Sequence, residues 1–386
     1  MVVTVDVTAR HQTAGLRYQT LDSLRGICAC IVVLFHFGST GVISNLPVVR
    51  NGLLFVDFFF VLSGFVIAAS YGRRLETGFP FGRYMLLRFG RIYPLHLAVL
   101  GLFIAMELAG VLFTGLTPRE PFTGSRTMPD LAISVLLLQV FDLSGGLNWN
   151  APAWSIAAEF WTYIVAGLVF VFARGLKPWI VASVIVVSGV WLAGTPTHLL
   201  HDSDFGIVRC LFGFFIGIVA FWASNGVSAW INSLGKLAAS LLEGAASGLS
   251  IGLVAMAGDS MLTMLAPPLF ALAVLVFAAE RGAISTLLLI RPMRLLGTLS
   301  YSIYMIHVFV QGRWLNLLEI TGGRLGHSWV HTMPDGTKAL MVAPLIADGL
   351  TITMLAVVIA ASAFSYALVE MPAREWSRRL AARIWP

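Results

Sequence analysis

Residues 53–72 read LLFVDFFFVLSGFVIAASYG, a run of twenty residues in which Asp57 carries the only charge. An α-helix rises about 1.5 Å per residue, so about twenty residues cross the roughly 30 Å hydrocarbon core of a bilayer. A helix also satisfies its own backbone hydrogen bonds where no water can reach them. This stretch therefore predicts a membrane-spanning helix.

The composition of the whole chain agrees with a membrane protein. Of its 386 residues 58% are hydrophobic and 11% are charged, and the mean hydropathy is +0.85. Soluble domains are about 45–50% apolar and about 25% charged, so this chain has too few polar groups to cover a water-exposed surface. The net charge of +6 does not indicate nucleic-acid binding, because the basic residues cluster in short loops between apolar runs, as expected for a membrane protein.

Ten apolar runs in the chain are long enough to span a membrane. The sequence therefore predicts an all-α integral membrane protein of about ten transmembrane helices. A further apolar segment, 131–141, is too short to span, and we expect it to be interfacial or re-entrant. The ten predicted spans are 21–39, 53–72, 92–113, 154–173, 178–195, 207–224, 238–257, 262–280, 295–315 and 341–369.

The distribution of positive charge predicts the orientation. An even number of spans puts both termini on one side, and with that side in the cytoplasm the inner segments hold 18 of the 25 Lys and Arg residues. Such an excess is typical of cytoplasmic segments. Residues 1–20 are too polar to be a cleavable signal peptide. We therefore predict a cytoplasmic segment at 1–20, a transmembrane domain at 21–372 in the cytoplasmic (inner) membrane, and a basic cytoplasmic tail at 373–386.

Neither the cysteines nor the histidine-containing loop predicts a disulfide or a metal site. Cys28, Cys30 and Cys210 lie in apolar stretches, and their odd number and irregular spacing give no disulfide framework. Two residues apart on a helix, Cys28 and Cys30 point in different directions and make a poor metal clip. Residues 198–204 contain two histidines and two aspartates, but they form a short loop outside the membrane, and we expect no metal there.

Two ionisable residues of the first span, Arg25 and His36, are of a kind that is rarely exposed to lipid. They are eleven positions apart, which is three helical turns plus about 20°, so they share a face and lie about 16 Å apart along the axis. A cation and an imidazole on one stripe indicate a lined path rather than a lipid-facing surface. If His36 is considered alone, the alternative to a functional role is a structural hydrogen bond between helices.

The segment Leu-Asp-x-Leu-Arg-Gly at 21–26, with ten residues between its Arg25 and His36, resembles the opening motif of the acyltransferase-3 family. Five further blocks resemble motifs of that family and occur in its order. Together the six blocks run from residue 21 to residue 372, nearly the whole chain. The five blocks are VDFFFVLSGF at 56–65, the arginines Arg83 and Arg88 followed by RIYP at 91–94, WSIAAEF at 154–160, GTLSYSIYMIH at 297–307 and SYALVEMP at 365–372.

The resemblance implies transfer of an acyl group, usually acetyl, from cytoplasmic acyl-CoA to a hydroxyl of a carbohydrate or similar acceptor. Acyl-CoA would be a co-substrate, and the partners would be membrane lipid and a carbohydrate or glycolipid, with no nucleic acid and no metal. Coenzyme A is a polyanion, and guanidinium groups bind phosphate bidentately. Arg83, Arg88 and Arg91 are therefore predicted to bind the donor. For the neighbouring Arg73 and Arg74, positive-inside topology is an equal explanation.

Three residues are candidates for the chemistry, namely His36, Arg25 and Glu159. A sugar hydroxyl is a poor nucleophile unless a base removes its proton, and histidine titrates in the useful range. His36 is therefore predicted to be the general base, with a transient acyl carrier as the alternative. Arg25 would bind the phosphate or thioester end of the donor, or hold Asp22. Glu159 would orient His36 or stabilise its imidazolium, and a structural ion pair is the alternative.

A further set of polar residues is predicted to line the path of the acceptor. One stripe of a span carries Ser300, Tyr304 and His307. The alternative to a role in the acceptor path is that these residues form hydrogen bonds between helices. Asp57, close to the outer end of its span, is expected to pair with Arg50 or to face the cavity. The complete predicted set is Asp57, Ser63, Ser155, Ser300, Tyr304 and His307.

Two other classes of protein stay open. A multi-pass transporter or permease for a glycan or small polar solute would share the basic inner face and the intramembrane charges. Transporters more often show internal repeats and paired broken helices, and this sequence shows neither. A membrane glycan-modifying enzyme with a polyprenyl-linked donor is the second class. Binding of coenzyme A thioesters distinguishes the predicted acyltransferase from both.

Overall fold

The structure is a computed structural model in which helices account for most of the described chain and one short β-hairpin is present. Its all-α character confirms the predicted fold class. The described residues are 18–113, 120–143, 146–200, 205–333 and 336–385. Within them the helices are α1 (Gln19–Phe35), α2 (Val42–Asn45), α3 (Pro47–Arg50), α4 (Phe55–Ile67), α5 (Arg73–Glu76), α6 (Phe81–Leu112), α7 (Met128–Val135), α8 (Ala153–Phe172), α9 (Lys177–Ala193), α10 (Gly206–Ser233), α11 (Lys236–Ala257), α12 (Ala266–Ala278), α13 (Ala283–Leu288), α14 (Arg291–Arg324), α15 (Pro344–Ser365) and α16 (Met371–Ile384). The hairpin pairs β1 (Val330–Thr332) antiparallel with β2 (Lys338–Leu340).

Eight of the described helical runs are long and apolar enough to cross a membrane. Each of the ten predicted spans falls on a helix, but the first and the fifth, α1 and α9, are 17 residues long. The prediction of a helical membrane protein is confirmed, while the exact number of spans and the side of the termini stay predictions. The eight runs are Gly52–Glu76, Phe81–Leu112, Ala153–Phe172, Gly206–Ser233, Lys236–Ala257, Met261–Ala278, Arg291–Arg324 and Pro344–Ile384.

Two of these runs contain a π-helical turn. The turn Ala68–Gly72 lies inside the run that begins at Gly52, and the turn Tyr366–Glu370 joins α15 to α16. Turns of this kind are frequent at functional sites, because the extra residue reorients the side chains that follow. The predicted boundary after residue 372 lies inside α16, so the basic tail continues the last span as a helix.

The helices α1 and α14 pack closely through two glycines. A Cβ atom on Gly26 would lie 2.4 Å from the carbonyl carbon of Leu296, and one on Gly297 would lie 2.5 Å from the carbonyl oxygen of Asp22. Small residues permit such an approach within a membrane, where van der Waals packing drives helix association. The contact places the backbone of α14 beside the part of α1 that carries Arg25.

The helices α4 and α10 approach each other in the same way. A Cβ on Gly64 would lie 1.8 Å from the carbonyl oxygen of Phe214, and one on Gly217 would lie 2.0 Å from the carbonyl oxygen of Val61. Neither glycine has room for a side chain unless the two backbones separate. This pair of helices therefore depends on glycine at both positions.

A buried ion pair joins the same two helices and corrects the expectation for Asp57. Arg209 donates from Nε and Nη2 to the two carboxylate oxygens of Asp57 at 3.0 and 2.8 Å, and neither side chain is exposed. Asp57 lies seven residues before Gly64 and so on the face of α4 that packs against α10. Its partner is therefore Arg209 and not Arg50, and its side chain is buried between helices rather than facing a cavity.

The described part of the segment between α6 and α8 packs against both α6 and α8. Its short helix α7, of 8 residues, and the 3₁₀ turn Gln139–Phe141 are both too short to span, as predicted. Three side chains of α6 and α8 donate to carbonyls at and after the end of α7: Tyr93 to Val135 at 2.9 Å, His96 to Ser134 at 2.9 Å and Trp161 to Leu137 at 2.8 Å. These donors satisfy carbonyls that have no partner within the helix, as backbone at membrane depth requires.

Candidate active site

The helices α1, α4, α6, α8 and α14 surround a cavity that contains about 740 Å³ of empty space, including the part open to solvent. Its wall combines charged groups with aliphatic and aromatic side chains. The lining residues are Arg25, Val56, Phe59, Phe60, Leu62, Ser63, Val66, Ile67, Arg88, Arg91, Ile92, Ser155, Ile156, Glu159, Tyr163, Ser300, Tyr301 and Tyr304.

Two of the three predicted donor-binding arginines, Arg88 and Arg91, lie in this wall. Arg88 donates from Nη2 to the Tyr71 hydroxyl at 3.0 Å, and its Nε is buried without a hydrogen-bond partner. Among the residues that the structure describes, Arg91 has no ion pair or hydrogen bond. Both guanidinium groups therefore retain donors for a ligand.

Arg83, the third predicted donor-binding residue, lies outside the wall and stacks over the ring of Phe79, with its guanidinium carbon 5.4 Å from the ring centroid. The spacing along α6 explains the difference. Arg88 and Arg91 are about 60° apart around the helix, whereas Arg83 and Arg88 are about 140° apart. Arg83 consequently lies on another side of α6 and not in the cavity wall.

Arg25 joins α1 to α14 at the edge of the cavity. Its Nε donates to the Ser300 hydroxyl at 2.8 Å, and its Nη2 contacts the Asp22 carboxylate at 3.1 Å and the Gly297 carbonyl at 3.4 Å. Of the two roles left open by the sequence, holding Asp22 is the one present in the structure. Because Arg25 also lines the cavity, the two roles are compatible.

Glu159 lies in the cavity wall beside the arginines and accepts short hydrogen bonds from the hydroxyls of Ser63 and Tyr163. The expectation that Glu159 orients His36 is corrected, because the polar contacts of the His36 ring are with other groups. Glu159 instead supplies negative charge among the cavity arginines.

A second part of the wall is formed by Tyr304 and Ser155. Their hydroxyls are 2.8 Å apart, and each also lies 3.1 Å from the carbonyl oxygen of Pro152. The Tyr304 ring packs edge-on against Phe59 with 5.7 Å between centroids, and its centroid is 5.9 Å from that of His307. Tyr304 thus separates the cavity from the histidines behind it.

His36 and His307 lie in contact just beyond Tyr304. Nδ1 of His36 is 3.3 Å from Nε2 of His307, and the ring centroids are 4.9 Å apart. His36 is half-buried at the end of α1, whereas His307 on α14 is completely buried. The sequence predicted both residues at the site but not their contact, because they are 271 positions apart.

A scan against known families matches the acyltransferase domain to residues 18–369. This chain belongs to the acyltransferase-3 family. It is 28% identical over 392 aligned residues to Acyltransferase MdmB of Streptomyces mycarofaciens, covering 92% of each chain. It is 32% identical over 160 residues to Protein 2 in picA locus of Rhizobium radiobacter, covering 38% of this chain and 80% of that protein. No solved structure matches it.

All the cavity residues of this acyltransferase lie within the matched region. Membership of the family confirms the predicted reaction class, and the helices make the protein a membrane acyltransferase. Among the described residues no three His, Cys, Asp or Glu side chains group in a way that could hold a metal ion. Residues 201–204 of the loop considered for metal binding lie outside the described residues.

The structure adds one buried carboxylate that the sequence did not single out. Glu370, in the π turn before α16, accepts from the Ser302 hydroxyl at 2.7 Å and lies 3.4 Å from Arg374. The signal that would have found it is its place within the SYALVEMP block. This acyltransferase thus has one carboxyl group in the cavity wall, Glu159, and a buried one bonded to Ser302 of α14, Glu370.

Proposed function

We propose that this membrane acyltransferase moves an acetyl group from cytoplasmic acetyl-CoA to a hydroxyl of a cell-surface or lipid-linked carbohydrate, with His36 as the general base. The observation that carries the proposal is the arrangement of one cavity. Guanidinium donors without a partner lie in its wall, and the His307 ring, which contacts His36, lies behind the wall residue Tyr304. In this proposal the protein sits in the inner membrane with both termini in the cytoplasm.

The donor half of the proposal is supported by Arg88 and Arg91. Coenzyme A carries phosphates that pair with guanidinium groups, and these two residues keep unused donors in the cavity wall. The same wall also carries aliphatic side chains such as Leu62 and Ile156. Such a surface suits the uncharged acyl and thioester end of the donor.

The acceptor half is supported by the position of His36. Its half-buried ring lies at the end of α1, which on the predicted topology is the outer end of that helix. The ring would take the proton of the acceptor hydroxyl as the oxygen attacks the thioester carbon. The C–S bond then breaks, and the proton passes from the imidazolium to the coenzyme A thiolate. An ester, coenzyme A and neutral His36 result, so atoms and charges balance.

The test is the ester-linked acetyl content of cell-surface carbohydrate in cells that lack this gene. We expect wild-type protein to restore the acetyl groups and His36→Ala, present at an equal level in the membrane, to lower the rate at least about a hundredfold. Acetyl-CoA binding by purified His36→Ala should match that of the wild type. If His36→Ala transfers acetyl groups at the wild-type rate, His36 is not the general base.

Donor binding also separates the alternatives. A permease or an enzyme with a polyprenyl-linked donor would not bind acetyl-CoA. If purified wild-type protein fails to bind it and surface acetylation is unchanged by the gene, the proposed donor is wrong.

A further inference from the structure

The contacts of the two histidine rings determine where their protons lie. Nδ1 of His36 is 2.9 Å from the carbonyl oxygen of Val32, one turn earlier in α1. Nδ1 of His307 is 2.6 Å from the carbonyl oxygen of Tyr304, one turn earlier in α14. A carbonyl oxygen can only accept a hydrogen bond. Each ring must therefore carry its proton on Nδ1 to make these contacts attractive.

This assignment leaves one nitrogen of each neutral ring without a proton. Nε2 of His307 points at Nδ1 of His36, at 3.3 Å, and accepts from the same N–H that donates to Val32. The opposite assignment, with a proton on Nε2 of His307, would set lone pairs against two carbonyl oxygens. Of the four ring nitrogens, only Nε2 of His36 then has a lone pair that is not engaged in a hydrogen bond. It has no hydrogen-bond partner among the described residues.

We propose that His307 is a positioning residue that holds His36 in its Nδ1–H form, so that the Nε2 lone pair faces the acceptor hydroxyl. The proposal rests on the proposed role of His36 as the base and assigns a role to its neighbour. His307 has neither nitrogen free for an acceptor, because Nδ1 is bonded to Tyr304 and Nε2 faces His36. It is also fully buried, so it acts through His36 and does not touch the substrate.

The same contact supports the charged intermediate. When Nε2 of His36 takes the hydroxyl proton, the positive charge spreads over the ring and strengthens the donor at Nδ1. Two groups accept a hydrogen bond from the Nδ1–H of His36, namely the Val32 carbonyl oxygen and the Nε2 lone pair of His307. In other catalytic histidines the group at the second nitrogen is often a carboxylate, which fixes the ring form and its orientation. Here a neutral imidazole occupies that place.

The neighbouring residue Gln311 provides a matched control. It lies one turn beyond His307 on α14, is buried, and donates from Nε2 to the carbonyl oxygen of Val33 on α1 at 2.7 Å. Gln311 thus ties the same two helices together without touching the His36 ring. A variant that lacks this bond shows what loss of an α1–α14 hydrogen bond does by itself.

The first test measures acetyl transfer from radiolabelled acetyl-CoA in membrane vesicles from the complemented cells, which supply their own acceptor. In His307→Leu we expect the maximal rate per protein to fall about a hundredfold, with the acetyl-CoA concentration at half-maximal rate unchanged. His307→Gln, whose Oε1 can accept from Nδ1–H, should recover most of the rate, and Gln311→Leu should stay near the wild type. The proposal is overturned if His307→Leu keeps the wild-type rate, or if Gln311→Leu loses as much.

The second test is independent of the reaction. In purified protein labelled with ¹⁵N-histidine, the His36 signals are assigned by their loss in His36→Gln. We expect wild-type His36 to be protonated at Nδ1 and bare at Nε2, with the Nδ1 preference weakened in His307→Leu and retained in Gln311→Leu. A wild-type His36 protonated at Nε2 overturns the proposal even if transfer is normal. Conversely, if the wild-type vesicles transfer no acetyl group, the proposed function is wrong, but the assignment of the ring protons is unaffected.

Discussion

Arg91 reaches the cavity wall with no ion pair or hydrogen bond among the described residues, and its neighbour Arg88 keeps a buried Nε without a partner. Hydrogen bonds to charged groups contribute about 1.5–3 kcal/mol, so removal of either guanidinium should weaken acetyl-CoA binding about tenfold or more. The measurement is titration of purified Arg88→Ala and Arg91→Ala with acetyl-CoA.

Arg83→Ala is the matched control for that experiment, because Arg83 belongs to the same helix and loop but stacks on Phe79 outside the cavity. The affinity of Arg83→Ala for acetyl-CoA should stay within about twofold of the wild type, because Arg83 does not line the cavity and loses no contact there. Equal losses in Arg83→Ala and Arg91→Ala would mean that general positive charge, and not the cavity wall, attracts the donor.

The ion pair between Asp57 and Arg209 leads to a second prediction at this scale. Removing one member of a buried pair leaves an uncompensated charge and destabilises a protein by about 3–5 kcal/mol. Asp57→Ala should therefore lower the amount of folded protein in the membrane and its thermal stability in detergent. The double variant Asp57→Leu/Arg209→Met should recover most of that stability, because it removes both charges.

Acetyl transfer by the double variant then tests the predicted acceptor path. The buried position of Asp57 against Arg209 leads us to expect a rate near the wild type. A stable double variant without transfer would show that Asp57 does take part in the reaction.

At the scale of helices, the approach of α4 to α10 depends on Gly217, whose added Cβ would lie 2.0 Å from the Val61 carbonyl oxygen. Gly217→Leu must push the two backbones apart, and we expect a lower thermal midpoint and less folded protein. Gly226→Leu on the same helix is the control, because a Cβ added there would have nothing within 4 Å. Similar stability of the two variants would mean that α4 and α10 do not pack as described.

The sequence predicted the helices better than their pairing, and the reason is physical. A span is marked by a local run of apolar residues, so each of the ten predicted spans coincides with a helix. Which helix touches which depends on where one glycine meets a distant backbone, as Gly26 meets Leu296. Periodicity within a span carries no information about that partner.

The same limit explains the outcomes at the candidate site. Arg88 and Arg91 lie in one wall because they are three positions apart on α6, and such a spacing is a local property of the sequence. The partner of Asp57 is 152 positions away and the partner of His36 is 271 positions away, so neither pairing has a local signal. Glu159 was expected beside His36 because both are ionisable groups in spans, but it meets Ser63 and Tyr163 instead.

For the whole molecule, the excess of basic residues on one side predicts that both termini lie in the cytoplasm. Two exposed positions test this, Ser328 after α14 and Ala382 in α16. In intact cells a membrane-impermeant maleimide should label Ser328→Cys from outside, and it should label Ala382→Cys only after the membrane is opened. Cys28 and Cys210 are buried and Cys30 is partly buried, which keeps the background low.

The two labelling results also report on the number of spans between these positions. External labelling of Ala382→Cys with protection of Ser328→Cys would mean that the molecule is inverted. Labelling of both from outside would mean that an even number of crossings separates them, and that the run Pro344–Ile384 does not cross the membrane.

The ion pair between Asp57 and Arg209 has a consequence for the synthesis of the protein. Translation at about 5–20 residues per second separates the two residues, 152 positions apart, by roughly 8 to 30 s. During that interval Asp57 must reside in the bilayer or the insertion machinery without the Arg209 guanidinium. Because Asp57 lies near one end of the span, this costs less than the roughly 2.5–3.5 kcal/mol of a charge at a helix centre. The twelve Leu, Ile, Phe and Val residues of 53–72 favour insertion by about 0.3–0.6 kcal/mol each, roughly 4–7 kcal/mol together. The surplus lets the nascent span wait for its partner to emerge from the ribosome.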